Sequence, residues 1–332
     1  PSLTLRVADR SLDVESRYAA RLLAMPGDSS LALRQDGALR ARWEQTRNLS
    51  WSGNARFDYG QSAFVFDPGE RKPFDSMENV LPLIHDQLAA EGSAGFNYVL
   101  SRGVTATANV GYAAYGGASA PSQHFIPLQQ GPQLYAAVAQ DVSRVDQLTT
   151  DLYASRTTSS DSRTSFVVKG TEAWTRQLAA ATRVQASLGA SIDGGSGSVS
   201  SAVFPVGGAQ LQHDVEARGN RIELRAAAQL GPHYSLSTAD LQQRAEVAAS
   251  VRWVVRDLSI RARAGAARDL ADWAKAGNLF IGAVDLSVRL WTDASFRCGF
   301  EAVRQSVAPD VLAPTSAWFA FAAFNAAARN LL

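Results

Sequence analysis

The sequence predicts an all-β fold: a transmembrane antiparallel up-and-down β-barrel of about 16–18 strands, with short periplasmic turns and long extracellular loops. The first observation is that polar and apolar residues alternate in about seventeen segments of about 10–14 residues, the length of strands that cross a bilayer. The second is that the gaps between these segments alternate between long and short. A barrel produces this alternation because its strand ends meet tight turns on one side of the membrane and long loops on the other.

The strands follow from a period of two in hydrophobicity. The clearest example covers residues 48–59, where Trp51 and Phe57 fall on one face and Arg56 and Asp58 fall on the other. The same alternation recurs in further segments: 12–24, 96–100, 104–112, 221–230 and 258–267. Soluble strands are usually about 5–6 residues long, so the length of these segments independently favours a membrane barrel.

The lengths of the connections give the strand count. We expect long connections at 61–92, 116–132, 157–162, 191–206, 231–240, 268–276 and 305–314. We expect short turns near 102–103, 144–146, 176–177, 218–220, 255–257 and 291–293. Closed bacterial barrels have an even number of strands. A count of seventeen therefore favours eighteen strands, one of them preceding Pro1, with sixteen as the alternative.

Two segments within long connections have a helical period. Ser76–Ala90 and Arg268–Ala276 each place apolar residues three and four positions apart. We expect the first to form a helix in a surface loop, with a position inside the barrel as the alternative. Residues 12–25 taken alone also fit an amphipathic helix, but the many segments separated by short polar turns favour strands.

Composition excludes several classes of protein. The net charge of +1 provides no strong field for binding nucleic acid. No run of 18 apolar residues exists, which excludes a helical membrane protein. We therefore assign residues 1–332 to a single β-barrel domain in a bacterial outer membrane. The chain starts at Pro1 rather than Met, so the absence of a signal peptide says nothing about location.

No residue pattern indicates catalysis. A single cysteine, Cys298, excludes an internal disulfide and a cysteine-based zinc site. The four histidines lack ligand spacing, and all but His213 fall in predicted connections; they are His85, His124, His213 and His233. We expect no enzyme activity, no metal and no cofactor, although His213 beside Asp214 is the nearest approach to an active site at the barrel rim.

Aromatic residues lie near predicted strand ends or at outward positions, where a lipid interface favours them. They are Trp51, Tyr59, Tyr112, Tyr115, Trp174, Trp253, Trp291 and Trp318. The last predicted strand contains Phe319, Phe321 and Phe324, similar to the closing strand of bacterial outer-membrane barrels, although the chain continues to Leu332.

The predicted polar faces line the lumen, the interior of the barrel. The residues we expect there are Arg17, Arg21, Arg42, Arg56, Asp58, Glu223, Arg225, Arg252, Arg261, Arg263, Arg297 and Glu301. One interpretation is a network of salt bridges across strands. The other is a polar conduit, because a guanidinium offers five hydrogen-bond donors to carboxylates or hydroxyl-rich solutes. Barrels of sixteen or eighteen strands enclose an aqueous channel rather than a packed core.

Three features together resemble a known family. They are the arginine- and serine-rich alternating strands, the step FIPLQQGP at residues 125–132, and the run SLGA at residues 187–190. The chain resembles the β-barrel proteins that accompany Wzy-dependent polysaccharide export in some Gram-negative bacteria. The resemblance implies an eighteen-strand outer-membrane pore that works with a periplasmic polysaccharide export protein. It identifies no particular residue as a site.

The predicted function is therefore an outer-membrane channel for hydrophilic cargo, above all a secreted polysaccharide. Two alternatives stay open. One is a general diffusion porin or solute channel, for which the 61–92 segment is the candidate constriction loop. The other is a structural barrel that anchors a surface complex. The expected partners are outer-membrane lipid, a polysaccharide or other hydrophilic solute, and a periplasmic polysaccharide export protein, but no nucleic acid.

Overall fold

Seventeen antiparallel strands form one sheet in the computed structural model of the protein. The structure describes residues 2–24, 31–62, 85–195, 202–234, 241–270, 278–291, 294–306 and 315–326. The strands are β1 Ser2–Ala8, β2 Leu12–Ala24, β3 Leu31–Glu44, β4 Leu49–Ser62, β5 His85–Ser101, β6 Val104–Gly117, β7 Gln129–Asp141, β8 Asp146–Ser159, β9 Thr164–Ala179, β10 Thr182–Gly195, β11 Ala202–Ala217, β12 Asn220–Tyr234, β13 Leu241–Val255, β14 Leu258–Asp269, β15 Asn278–Trp291, β16 Ala294–Ser306 and β17 Thr315–Ala326. A helix, α1 (Ala120–Phe125), connects β6 to β7.

The topology is the predicted up-and-down meander. Each strand pairs with the next in sequence, so sixteen antiparallel ladders connect β1 to β17. Within the described residues, no ladder joins β17 back to β1. The fold class is confirmed, and the eighteenth strand placed before Pro1 stays a prediction. No helix in the described part of the chain is long and apolar enough to span a membrane.

The two faces of the sheet differ in polarity and exposure. Large apolar side chains such as Leu39, Leu152 and Val284 are exposed on one face. The other face carries the charged residues, and Glu301 and Ala113 on that face are buried. A curved sheet crowds side chains on its concave face and spreads them on its convex face. The polar face is therefore the concave one and the apolar face the convex one, as a membrane barrel requires.

The outward aromatic positions are largely as predicted. Six of the eight side chains are exposed on the apolar face: Trp51, Tyr59, Tyr112, Trp174, Trp253 and Trp318. Trp51 packs edge-on against Phe96 with ring centroids 5.6 Å apart, and Trp318 stacks on Phe300 at 6.2 Å. Tyr115 lies near the end of β6, as predicted, but its place in the β6 alternation puts it on the polar face beside Glu91. The side chain of Trp291 lies outside the described residues.

Short connections gather at one end of the barrel, which we call the turn end; the opposite end is the loop end. The short connections are 9–11, 45–48, 102–103, 142–145, 180–181, 218–219 and 256–257, and residues 292–293 lie outside the description. Arg218 and Gly219 have φ values of 51° and 79°, which two-residue hairpin turns of the primed type require. The alternation of short and long connections is thus the predicted one, with two exceptions.

Both exceptions concern β9. The turn predicted at 176–177 is wrong, because Arg176 and Gln177 continue the strand and pair with Val184 and Arg183 of β10. The long connection predicted at 157–162 is also wrong. The backbone N–H of Ser162 donates to the carbonyl of Ser159 at 2.9 Å, closing residues 160–163 into a short turn. Polar residues signalled breaks at both places, but ladder hydrogen bonds satisfy their backbone within the sheet.

The predicted helices are corrected in part. In the helix predicted at Ser76–Ala90, residues 76–84 lie outside the described residues, and the remainder forms the start of β5. There Asp86–Ala90 pair with β4, so the backbone hydrogen bonds that a helix would form within itself are formed with β4 instead. In the helix predicted at Arg268–Ala276, Arg268 and Asp269 end β14 instead, and residues 271–277 lie outside the description.

Helix α1 was not predicted, although it lies in the long connection expected at 116–132. It is fixed to the barrel by Ser122, whose hydroxyl accepts a hydrogen bond from the backbone N–H of Asp86 at 3.0 Å. Ile126, directly after the helix, is fully buried. This connection therefore packs against the loop ends of β5 and β6.

A close approach of two strands explains Gly189. A Cβ atom at this position would lie 2.0 Å from the carbonyl oxygen of Gly170 and 2.8 Å from the Cα of Thr171, both in the backbone of β9. A side chain here must push the two strands apart. The opposite case is Gly282 in β15, where a Cβ would meet no atom within 4 Å.

We expect Gly189→Ala to lower the free energy of unfolding by about 1–3 kcal/mol, because overpacking displaces backbone rather than a flexible side chain. The measurement is urea unfolding of the protein refolded in lipid vesicles, followed by tryptophan fluorescence. Gly282→Ala is the matched control and should lose no stability. Equal midpoints for the two variants would contradict the close approach.

Candidate functional site: the polar concave face

The strand register brings the predicted lumen residues onto one face. The residues with described side chains are Arg17, Arg42, Arg56, Asp58, Glu223, Arg225, Arg252, Arg261, Arg263, Arg297 and Glu301, and all lie on the concave face. Arg21 belongs to β2, but its side chain lies outside the described residues. A role of these residues in contacting cargo stays a prediction.

The first charged group lies on β3–β6, towards the loop end. Arg56 Nε is 2.7 Å from a carboxylate oxygen of Glu91, and the hydroxyl of Tyr115 donates to the same carboxylate at 3.0 Å. Arg34 forms an ion pair with Asp58 across the neighbouring ladder. Sequence analysis did not assign Arg34, Glu91 and Tyr115 to the lumen. Their contacts with Arg56 and Asp58 depend on the register between strands, which the sequence does not give.

The second charged group, which we call the arginine wall, lies on β12–β16 towards the turn end. It consists of Arg221, Arg225, Arg252, Arg261, Arg263 and Arg297. Glu223 lies 3.1 Å from Arg221 and 3.8 Å from Arg252. Glu301 accepts a hydrogen bond of 2.6 Å from Arg263. The carboxylates are therefore shared among more guanidinium groups than they can neutralise one by one.

Like charges face one another within the arginine wall. Arg252 and Arg261 are directly opposite in the β13–β14 ladder, a position in which like charges repel. Arg261 is in turn opposite Asp285, which also lies 3.4 Å from Arg297. Asp285 was missed by sequence analysis, yet it is the anion around which two of the predicted arginines gather. The six arginines of the wall outnumber Glu223, Asp285 and Glu301, although Glu216 on β11 lies opposite Arg221.

A third cluster was not predicted and lies towards the loop end of β12–β14. Arg244 is 3 % exposed, and its Nε lies 2.5 Å from Asp269. Gln229 donates to Glu246 at 2.5 Å. His233, expected in a connection, instead belongs to β12 and is buried beside this cluster. The expectation failed because β12 extends through Pro232 to Tyr234.

A cavity of about 280 Å³ lies on the concave face beside this cluster. Lys169, Thr171, Gln185, Ser187, Gln229 and Arg244 contribute to its lining. Within the described residues, no group of three or more histidine, cysteine, aspartate or glutamate side chains could hold a metal ion. The polar side chains that line the cavity can form hydrogen bonds and attract charged groups.

Comparison with known proteins agrees with this architecture. The profile of the EpsX exopolysaccharide export family matches residues 87–321. No curated protein matches the chain. The fold is similar to the FrpB iron transporter from Neisseria meningitidis in its apoprotein form, with a TM-score of 0.58 and 6% identity over 93% of this chain and 60% of FrpB.

A second solved structure shows the same likeness. The ferric-catecholate import receptor Fiu from E. coli K12 has a TM-score of 0.51 and 9% identity, over 97% of this chain and 71% of Fiu. At such identities the likeness concerns the fold alone, and this chain spans about 60% of the length of FrpB. The predicted location in a bacterial outer membrane agrees with both the fold and the family match.

The buried pair Arg263–Glu301 gives a test of the charge network. We expect Glu301→Ala to lower the free energy of unfolding by about 2–4 kcal/mol, because it leaves a guanidinium that is 15% exposed without its closest anion. The comparison is Asp13→Ala, which breaks the exposed Arg6–Asp13 pair and should cause no measurable loss. Urea unfolding in lipid vesicles measures both. A similar midpoint for the two variants would show that the interior pair is solvated like a surface pair.

Proposed function

We propose that this chain, which belongs to the EpsX exopolysaccharide export family, conducts a secreted polysaccharide across the bacterial outer membrane. Family membership and the barrel fold together indicate a membrane channel or transporter in general. The polysaccharide cargo is our proposal. The observation that supports it best is the arginine wall, a surface of guanidinium groups exceeding their carboxylates on the concave face.

The arginine wall has the chemistry to hold and release an anionic or hydroxyl-rich polymer. Each guanidinium presents donors in a planar fork that matches a carboxylate. Glu223, Asp285 and Glu301 already occupy part of these donors, so a passing sugar carboxylate competes with an internal one. Contacts that are individually weak and repeated over several residues allow a chain to move forward, since no single site retains it.

The expected partners follow from the same proposal. The convex apolar face contacts outer-membrane lipid. A periplasmic polysaccharide export protein would meet the barrel at the turn end, where the arginine wall lies closest to the opening. The link to Wzy-dependent export belongs to this proposal.

Electrical recording tests the function directly. The protein refolded into a planar lipid bilayer should show open-channel conductance, and hexagalacturonate, an acidic oligosaccharide, should reduce the current. Conductance that the oligosaccharide leaves unchanged would favour a general solute channel. Verified insertion without conductance would favour a structural barrel and overturn the proposal for the isolated chain.

The arginines give the mutational prediction. We expect Arg252→Ser combined with Arg261→Ser to weaken hexagalacturonate block at least about tenfold, because each lost charge-assisted contact contributes about 1.5 kcal/mol or more. Anion preference, measured as the reversal potential in a salt gradient, should fall as well. The control is Arg102→Ser in the β5–β6 turn, which removes one positive charge outside the wall. Hexagalacturonate should block this variant as strongly as it blocks the wild-type protein. Unchanged block in the double variant would remove the wall from the proposed path.

A further inference from the structure

We infer that the concave face of β6–β9, which we call the tyrosine sector, binds uncharged sugar rings through Tyr135 and Tyr153. This inference rests on the proposed function, because it assigns a second contact surface within the same channel. The arginine wall lies on β12–β16 and suits acidic groups. The tyrosine sector suits the neutral part of a hydroxyl-rich polymer.

The two tyrosines form an adjacent pair on the concave face. Tyr135 in β7 and Tyr153 in β8 are directly opposite in their ladder. Their chain neighbours Leu134 and Leu152 are exposed on the convex face, so strand alternation turns both tyrosines to the interior. The Cβ atoms of opposed residues lie about 5 Å apart. Two half-buried tyrosines therefore lie side by side on neighbouring strands of the concave face.

The charge around this pair is low. In β6–β9, every residue of which the structure describes, Lys169 is the one lysine or arginine on the concave face. Its Nζ lies over one face of the Tyr153 ring, 5.9 Å from the centroid, so a stacked sugar must displace this ammonium or share the ring with it. The carboxylate of Asp151 accepts a hydrogen bond of 2.5 Å from the Thr171 hydroxyl. The rest of the surface near the tyrosines is neutral and polar, with Asn109, Gln133 and Ser155.

These groups match the surface of a pyranose ring. A pyranose has an apolar face of C–H groups and a rim of hydroxyls. A tyrosine ring offers an apolar face and one hydroxyl, while amide and hydroxyl side chains both donate and accept hydrogen bonds. A neutral sugar is favoured in the tyrosine sector because the amide and hydroxyl side chains can replace the hydrogen bonds that its hydroxyls make with water, whereas burying a charged group costs more.

The cavity on the concave face adjoins the tyrosine sector on the side of β9 and β10. Lys169, the cross-strand neighbour of Tyr153, also lines the cavity, together with Thr171, Gln185 and Ser187. Its volume is about 280 Å³, enough to hold several water molecules. A sugar ring stacked on the tyrosines can therefore reach hydrogen-bonding groups on β9 and β10 by displacing water. The sector and the cavity together form one site.

Binding of two oligosaccharides tests the inference. Equilibrium dialysis of the refolded protein in detergent micelles is performed with maltohexaose, which is neutral, and with hexagalacturonate, which is acidic. We expect wild-type protein to bind maltohexaose, and Tyr135→Ala combined with Tyr153→Ala to weaken this binding at least about tenfold. The corresponding double substitution to Phe should retain most of the affinity, because the ring faces remain. Tyr112→Ala, which removes a tyrosine exposed on the convex face, should change nothing.

The outcomes separate this inference from the proposed function. Absence of maltohexaose binding to wild-type protein, or equal binding by wild type and the double Ala variant, would overturn the tyrosine site. Arg252→Ser combined with Arg261→Ser should weaken hexagalacturonate binding and leave maltohexaose binding unchanged; loss of both would show a single site rather than two.

Bilayer conductance is recorded separately. If the protein binds maltohexaose through the tyrosines but shows no conductance, the proposed channel function is refuted and the tyrosine site stands. Folding of each variant is verified by heat-modifiable gel migration.

Discussion

Backbone pairing between neighbouring strands is the constraint on which the rest of this structure depends. A bilayer supplies no water to an unpaired N–H or C=O group, and each such group costs several kcal/mol. Sixteen ladders satisfy these groups along strands of mostly 12–17 residues. Pairing on both edges holds each strand extended, and successive side chains of an extended strand point to opposite faces. The apolar convex face and the polar concave face therefore follow from the pairing.

The concave face shows how the interior manages its charge. Ion pairs such as Arg56–Glu91 and Arg263–Glu301 connect neighbouring or next-neighbouring strands, and they concentrate on β3–β5 and β12–β16. Between these regions, the concave face of β6–β9 carries mostly tyrosines, amides and hydroxyls, with few charged residues such as Lys169 and Asp151. Different strands around the barrel therefore present strongly charged and weakly charged surfaces to the interior. We propose that a polysaccharide with both acidic groups and neutral rings contacts both surfaces during passage.

The close approach of neighbouring strands is a second constraint, because it excludes any side chain at certain single positions. Gly189 faces the backbone of β9 at a distance that excludes any Cβ, whereas Gly282 faces open space. The two glycines look alike in sequence, since each lies within an alternating strand. Only the local curvature and twist of the sheet decide which of them is required.

The sequence by itself determined the fold class, the positions of most strands and the faces of most strands, because a period of two is a local property that each segment carries alone. It also placed five of the six arginines of the wall on the lumen face. It could not identify Glu91, Asp285, Arg244 or the pairing of Tyr135 with Tyr153, because these contacts depend on register between strands. The misplaced turn at 176–177 has the same origin, because pairing with β10 continues β9 through these residues. Tertiary structure decided which charges meet, since a shift of one residue in register moves every partner to the other face.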